Sequence, residues 1–199
     1  MSGPTGKDAR PRILVHADES CLGNGLAPPN PGGNAALIEA RAGDSFVRWD
    51  FYECSPNTTN QKMALAGAIA SLEWVRRRWQ HSEVFYVSDS EYLIKGSTEW
   101  VKAWEARGWK RKGGAVENLE LWQKLVQVTA AHHVEWRWVR GHAGHPKNEY
   151  ANHLATRAAE RQERSNGLVP SGFDGWLASE RQRGKYEDYD PDQELDERL

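Results

Sequence analysis

At Thr59 the hydrophobic period of the chain changes, and no other feature constrains its fold as much. Before that point three runs read as extended chain: RILVHAD (12–18), NAALIEARAG (34–43) and SFVRWDFYE (45–53). The loop GNGLAPPNPGG (23–33), rich in turn formers, separates the first from the second, and a turn at Gly43-Asp44 joins the second to the third. After Thr59, NQKMALAGAIASLEWVRRRW places Met63, Leu65, Ala68, Ile69, Leu72 and Val75 at helical spacing and closes on Arg76, Arg77 and Arg78, cations suited to a helix C-terminus. VFYVSDS (84–90) is a further strand ending in an acid. Helical segments follow at about 91–107 and 117–132, then the strand HVEWRWV (133–139) and a helix at about 147–165. The order βββαβααβα predicts an α/β domain with a mixed sheet.

With 199 residues, 39% of them hydrophobic, the chain has material for one core and a tail. Its net charge is only -2, so affinity for a polyanion has to come from local clustering. Cys21 and Cys54 are too few for a disulfide framework and fit a reducing interior. No apolar stretch has signal-peptide character or approaches the ~18 residues of a membrane span, which predicts a cytoplasmic chain with no membrane partner. Residues 1–11, polar with Gly and Pro, predict a disordered N-terminus, and 12–165 the folded domain. SNGLVPSG (165–172) resembles a linker, and 166–199 an acidic C-terminal extension, partly disordered, in which FDGWLASERQRG has the pattern of a short amphipathic helix. A sharper alternative for this extension is an acidic flap that competes with a phosphate backbone for basic surface.

Three polar groups stand at sheet ends or on a helix where they could converge in one crevice: Asp18 after the first strand, Asp89 after the fourth and Asn152 on the last helix. A strand-terminal Asp is also a common turn or cap residue, so spacing alone leaves both roles open. The strings DESCLGN, TTNQKM, SDSEYL, STEWVKAWEARGW, ENLELWQKL and WVRGHAGHPKNEYANHLA, in this order and spacing, resemble type 1 ribonuclease H over residues 12–160. That family cuts the RNA strand of an RNA/DNA hybrid. The resemblance implies a ribonuclease H-like α/β fold with a five-stranded mixed sheet flanked by helices and a tryptophan-bearing basic handle. It also implies a monomer using two Mg²⁺ or Mn²⁺ ions, with 5′-phosphate and 3′-hydroxyl products.

The departures from the family pattern concern the metal site. Four carboxylates are usual, yet the second position is Ala64 and the fourth is Asn152. An amide keeps a carbonyl ligand and loses a charge, whereas a methyl group coordinates nothing. Glu19 stands where the family has glycine, and the Asp18-Glu19 pair resembles type 2 ribonuclease H, in which such a dipeptide supplies two of the four acids. The lost helix carboxylate and the added strand carboxylate thus read as one relocation, with Ala64 clearing space. Neighbours on a regular strand face opposite sides, so Glu19 reaches the site only if the strand ends or bulges there. A Glu19 facing solvent would instead leave a damaged site and a hybrid-binding protein that does not cleave.

The resemblance assigns Asp18, Glu19, Asp89 and Asn152 as metal ligands. His142, in RGHAGHP, matches a mobile histidine assisting proton transfer or product release. The roles of His145 and His153 stay open, the latter being expected on the helix surface. Cys21, Asn24, Asn60 and Gln61 match contacts to the hybrid's minor groove, where the 2′-hydroxyl distinguishes RNA. Thr59 matches a phosphate-pocket threonine for the DNA strand, and Glu91 stands where the family often has Gln, able to accept but not to donate. Lys102, Arg107, Lys110, Arg111 and Lys112 are expected to grip phosphates. Trp100 and Trp104, neighbours on one helical face, are expected to pack in the core, with Trp109 undecided.

Overall fold

A computed structural model of the chain describes residues 10–42, 44–141 and 143–199. The expected disordered N-terminus as far as residue 9, Gly43 of the expected turn, and His142 lie outside the described residues.

The three predicted N-terminal runs are the strands β1 (Arg12–Cys21), β2 (Gly32–Ala42) and β3 (Ser45–Ser55), paired antiparallel in sequence. α1 (Asn60–Trp79) begins where the period changes. Thr59 is extended, its Oγ1 accepts from the Lys62 N–H at 3.3 Å, and Arg76, Arg77 and Arg78 occupy the last turn. β4 (Glu83–Ser88) then pairs parallel with β1, and β7 (His133–Trp138) parallel with β4. Two short strands, β5 (Lys110–Arg111) and β6 (Gly114–Ala115), form a separate hairpin.

Alternation along β1 sends Ile13, Val15 and Ala17 to one face, where they meet Leu65, Ala68 and Leu72 of α1 in the main core. Leu14, His16 and Asp18 turn to the other face, beneath α5 (Pro146–Arg161). The sheet is therefore sandwiched between helices, and the carboxylate that ends the buried stretch of β1 emerges on the α5 side.

The helix expected over 91–107 is interrupted. α2 (Glu91–Lys95) passes through a π-helical turn, Gly96–Trp100, into α3 (Val101–Glu105). At the start of that turn Gly96 lies against Trp122 of α4 (Leu119–Thr129), which is fully buried and so close that a Cβ on Gly96 would lie 1.9 Å from the ring. Tyr92, Trp100, Trp104 and Trp122 form a chain of ring contacts with centroids 5.3–5.9 Å apart, and Trp122 Nε1 donates to the Tyr92 hydroxyl at 2.9 Å. Trp100 and Trp104 are thus packing residues, and Trp109 also leans on the main core.

The C-terminal extension carries the short helix expected over FDGWLASERQRG and adds elements that were not expected. Val169–Pro170 form β8, a sixth strand added beside β3, so the sheet order is β7-β4-β1-β2-β3-β8 where five strands were expected. The extension is anchored at two places: α6 (Phe173–Gln182) buries Phe173 and Leu177 against Tyr150 and Leu154, and α7 (Gln193–Arg198) buries Leu195 against Leu14 and Val87. Polar contacts lock the junction. Asp50 accepts from Tyr150 Oη at 2.6 Å, Ser171 Oγ at 2.6 Å and the Gly172 N–H at 3.0 Å. Arg48 bridges Glu39 to Asp174 and Asp192. Composition alone hides this, because the apolar anchors are few and spaced among charges. Among the described residues, no helix is long and apolar enough to cross a membrane.

Candidate active site

The parallel pairing of β1 with β4 stops at Ala17↔Ser88, whereas the pairing of β1 with β2 continues without a bulge to Cys21↔Gly32. Past Ala17 the β4 side of β1 is therefore an open edge, and Asp89, the first residue beyond β4, enters it. Around that edge the two faces of the strand meet. One carboxylate oxygen from each of Asp18, Glu19 and Asp89 lies within 4.8 Å of the others. Glu19 thus reaches the cluster on a regular strand, because the strand loses its neighbour on one side only.

Local contacts fix each acid. The Glu19 N–H donates to Asp18 Oδ1 at 2.6 Å, and the Ser90 side chain hydrogen-bonds the Glu19 carboxylate. Asn148 Nδ2, in the first turn of α5, approaches Asp18 Oδ2 at 3.5 Å. Trp138 Nε1 donates to the Asp89 carbonyl at 3.0 Å, and Gly141 packs so tightly that a Cβ there would stand 2.2 Å from Asp89 Oδ2. Burial, then the charges of Asp89 and Glu19, push Asp18 from its ordinary 3.8 to about 9; burial and the charge of Asp89 push Glu19 from 4.5 to about 8. Glu149 adds to the field on Asp18. Three acidic groups held this close, two of them with their proton affinity raised by burial and by one another's charge, make a set that a divalent cation relieves by displacing the protons and neutralising the carboxylates.

Ala64 is buried on α1 in the main core beside Ala17, on the face of β1 to which alternation assigns Glu19. The charge of Glu19 is felt on that face, where it helps raise the buried Tyr86 hydroxyl. Asn152 accepts from Thr156 Oγ1 at 3.4 Å and lines a groove of about 390 Å³ with Glu149, His153 and Trp176. The contact with Asp18 comes from Asn148, one helical turn earlier. Sequence reasoning missed Asn148, Ser90, Trp138 and Gly141; the i, i+4 relation of Asn148 to Asn152 was a signal for the first. His153 is exposed on α5, stacked on Tyr150. His145 instead packs against buried His16 with the rings tilted, and burial and His16 push its imidazole down to about 4.

The expected substrate contacts fall in two groups. Cys21, Asn24, Thr59, Asn60 and Gln61 gather where the 22–31 loop meets the start of α1: Cys21 Sγ lies 3.5 Å from the Thr58 carbonyl, and Asn24 Oδ1 accepts from the Asn60 N–H at 3.2 Å. Gln61 continues this surface into a groove of about 430 Å³ with Tyr92, Trp100, Trp104 and Arg111. At its far end Arg107, Lys110, Arg111 and Lys112 are exposed on and beside the β5–β6 hairpin. Lys102 is exposed on α3. Glu91 pairs with Lys95 at 2.6 Å in the first turn of α2.

Comparisons with known proteins converge on one family. The RNase H family profile matches residues 10–160. The chain is 41% identical over 162 residues to a ribonuclease H of Methylococcus capsulatus, covering 81% of this chain and 97% of that protein. It is 43% identical over 149 residues to one of Pseudomonas savastanoi pv. phaseolicola, covering 74% and 93%. The solved structure of LC9-RNase H1, described as a type 1 RNase H with the type 2 active-site motif, superposes with a TM-score of 0.79 at 48% identity, covering 89% of this chain and 83% of that one. The chain is a member of the RNase H family.

Proposed function

We propose that the chain hydrolyses the RNA strand of RNA/DNA hybrids, with Asp18, Glu19, Asp89 and the amide oxygen of Asn152 as ligands of two Mg²⁺ or Mn²⁺ ions. The observation that carries this reading is the convergence of the Asp18, Glu19 and Asp89 carboxylates within 4.8 Å around the open edge of β1. The family relationship and the named type 2 motif of LC9-RNase H1 support it. Bound there, the ions would supply the Lewis-acid charge that activates a water and steadies the leaving 3′ oxygen. The chain's own part is positioning. Asn148 and the Glu19 N–H orient Asp18, Ser90 orients Glu19, and Trp138 with Gly141 confines Asp89. The 22–31 loop and the start of α1 read the minor groove, and the basic hairpin holds phosphates beyond it. His142 assists proton transfer or product release. All of these groups come from one chain, which fits a monomer, and two free cysteines fit the cytoplasm.

The test is cleavage of an end-labelled RNA/DNA hybrid in Mg²⁺ or Mn²⁺ by the parent, Glu19→Ala and Asp89→Asn. Each substitution is expected to cost at least about 100-fold in kcat, equivalent to about 2.7 kcal/mol of transition-state stabilisation. Glu19→Ala cutting as fast as the parent would remove Glu19 from the site. An inert parent that still binds hybrid would leave a binding protein.

A further inference from the structure

Two residues before Asp18, on the same face of β1, a second group of ligating side chains has no part in the reaction above. His16 is fully buried, and neither ring nitrogen makes a hydrogen bond of good geometry. His145, at the N-terminal boundary of α5, packs against it with the rings tilted by 34° and 5.1 Å between centroids, and Glu194 comes in from α7. We propose that His16, His145 and Glu194 form a separate site for a zinc-class divalent cation, which clasps the C-terminal helix onto β1 and α5.

The geometry suits such an ion. One ligand atom from each residue falls within 4.8 Å of the others; His16 Nε2 is 3.4 Å and His145 Nε2 is 4.0 Å from Glu194 Oε2. Metal–nitrogen and metal–oxygen bonds of about 2.0–2.1 Å in a tetrahedron give ligand–ligand edges of about 3.4 Å, so of the three pairs one already stands at that separation, a second needs a movement of about half an ångström, and the third, between the two imidazoles, lies within 4.8 Å. Two imidazoles with one carboxylate are a zinc donor set, whereas the all-oxygen cluster at Asp18 suits harder Mg²⁺ or Mn²⁺.

Access and charge agree with this assignment. A pocket of about 200 Å³ reaches the group from outside, lined by His145, Tyr189, Asp190, Gln193, Glu194 and Glu197, whose acids draw in a cation and leave room for a water as fourth ligand. Lys147 lies 3.9 Å from Glu194 Oε2, but its close partner is the fully buried Glu39 at 2.8 Å; Arg198 takes the other oxygen of Glu194 at 3.4 Å. These cations weaken the site relative to an isolated pair of histidines and a glutamate without blocking the oxygen that faces the rings.

Co²⁺ is the probe, used on the full chain carrying Asp89→Asn and in excess Mg²⁺, so that the catalytic carboxylates do not compete. Four-coordinate Co²⁺ with nitrogen ligands absorbs intensely in the visible, and six-coordinate Co²⁺ among oxygens only weakly. The expected result is an intense band that saturates at one equivalent, is displaced by Zn²⁺, and requires at least about tenfold more Co²⁺ after His145→Ala or Glu194→Gln. A weak band alone, or an intense one unmoved by both substitutions, overturns the proposal. A second readout covers variants that fold poorly: Zn²⁺ should raise the Tm of the Asp89→Asn chain in proportion to the logarithm of its concentration, and an unchanged Tm also overturns it.

Discussion

The backbone N–H of Glu19 donates to the carboxylate of the residue before it, Asp18 Oδ1, at 2.6 Å. This hydrogen bond favours the charged form of Asp18, yet burial and the neighbouring acids outweigh it and leave the group at about 9, with Glu19 at about 8. Both values lie above those of the unfolded chain, so between about pH 4 and 9 the native state holds more protons than the unfolded one. Stability therefore falls as pH rises through that window. In chelator, the Tm should decline from about pH 5 to pH 9, and Asp18→Asn or Glu19→Gln should flatten the decline. Mg²⁺ should raise the Tm of the parent more at the alkaline end. Superimposable profiles for parent and Asp18→Asn would contradict the assignment.

Gly141 tests the confinement of Asp89. An alanine Cβ would stand 2.2 Å from Asp89 Oδ2 and 3.1 Å from its Cγ, so the carboxylate must leave its place. The backbone of Gly141 does not have a positive φ, so the substitution adds no strain beyond this clash. Gly141→Ala should fold with a Tm close to the parent's and lose at least about tenfold in kcat, as a misplacement of about 1 Å does when a reaction depends on orientation. Parent-like kcat would show that Asp89 tolerates displacement.

The exposed cations of the β5–β6 hairpin act through phosphates and should carry a salt signature. Replacing Lys110, Arg111 and Lys112 together by alanine should weaken hybrid binding and reduce the slope of log K against log[salt] by roughly two to three, at about 0.7–0.9 for each phosphate no longer neutralised. kcat at saturating hybrid should stay near the parent's, since none of the three touches the carboxylates. An unchanged slope would place the hairpin off the substrate.

Much of this was legible in the chain. The period change at Thr59, the strand-end acids and the packing role of Trp100 and Trp104 follow from spacing, because they depend on local alternation and helical geometry. Glu19 shows where such reasoning stops. Alternation sends Asp18 and Glu19 to opposite faces, and only the ending of β4 at Ser88, a tertiary fact, lets both side chains reach around one edge. Gly96 was unreadable as the seat of a π turn because its partner, Trp122, is 26 positions away.

Removing parts of the C-terminal extension separates two roles. Leu195 is fully buried between Leu14 and Val87, and Leu195→Ala should cost about 2–3 kcal/mol, the low end for a buried leucine because a terminal helix can settle into the gap. The Tm should fall by about 5–10 °C. Deleting residues 183–199 should cost more, since it also strips Asp192 from Arg48 and Glu194 from the fully buried His16, although Arg48 and Lys147 each keep Glu39 at 2.8 Å. Asp192, Glu194 and Asp196 are engaged with Arg48, His16 and Arg41 and so are not free to screen the β5–β6 hairpin. The truncated chain should therefore show an unchanged salt slope for hybrid binding. A steeper slope after truncation would instead show the extension acting as an acidic competitor for the substrate's backbone.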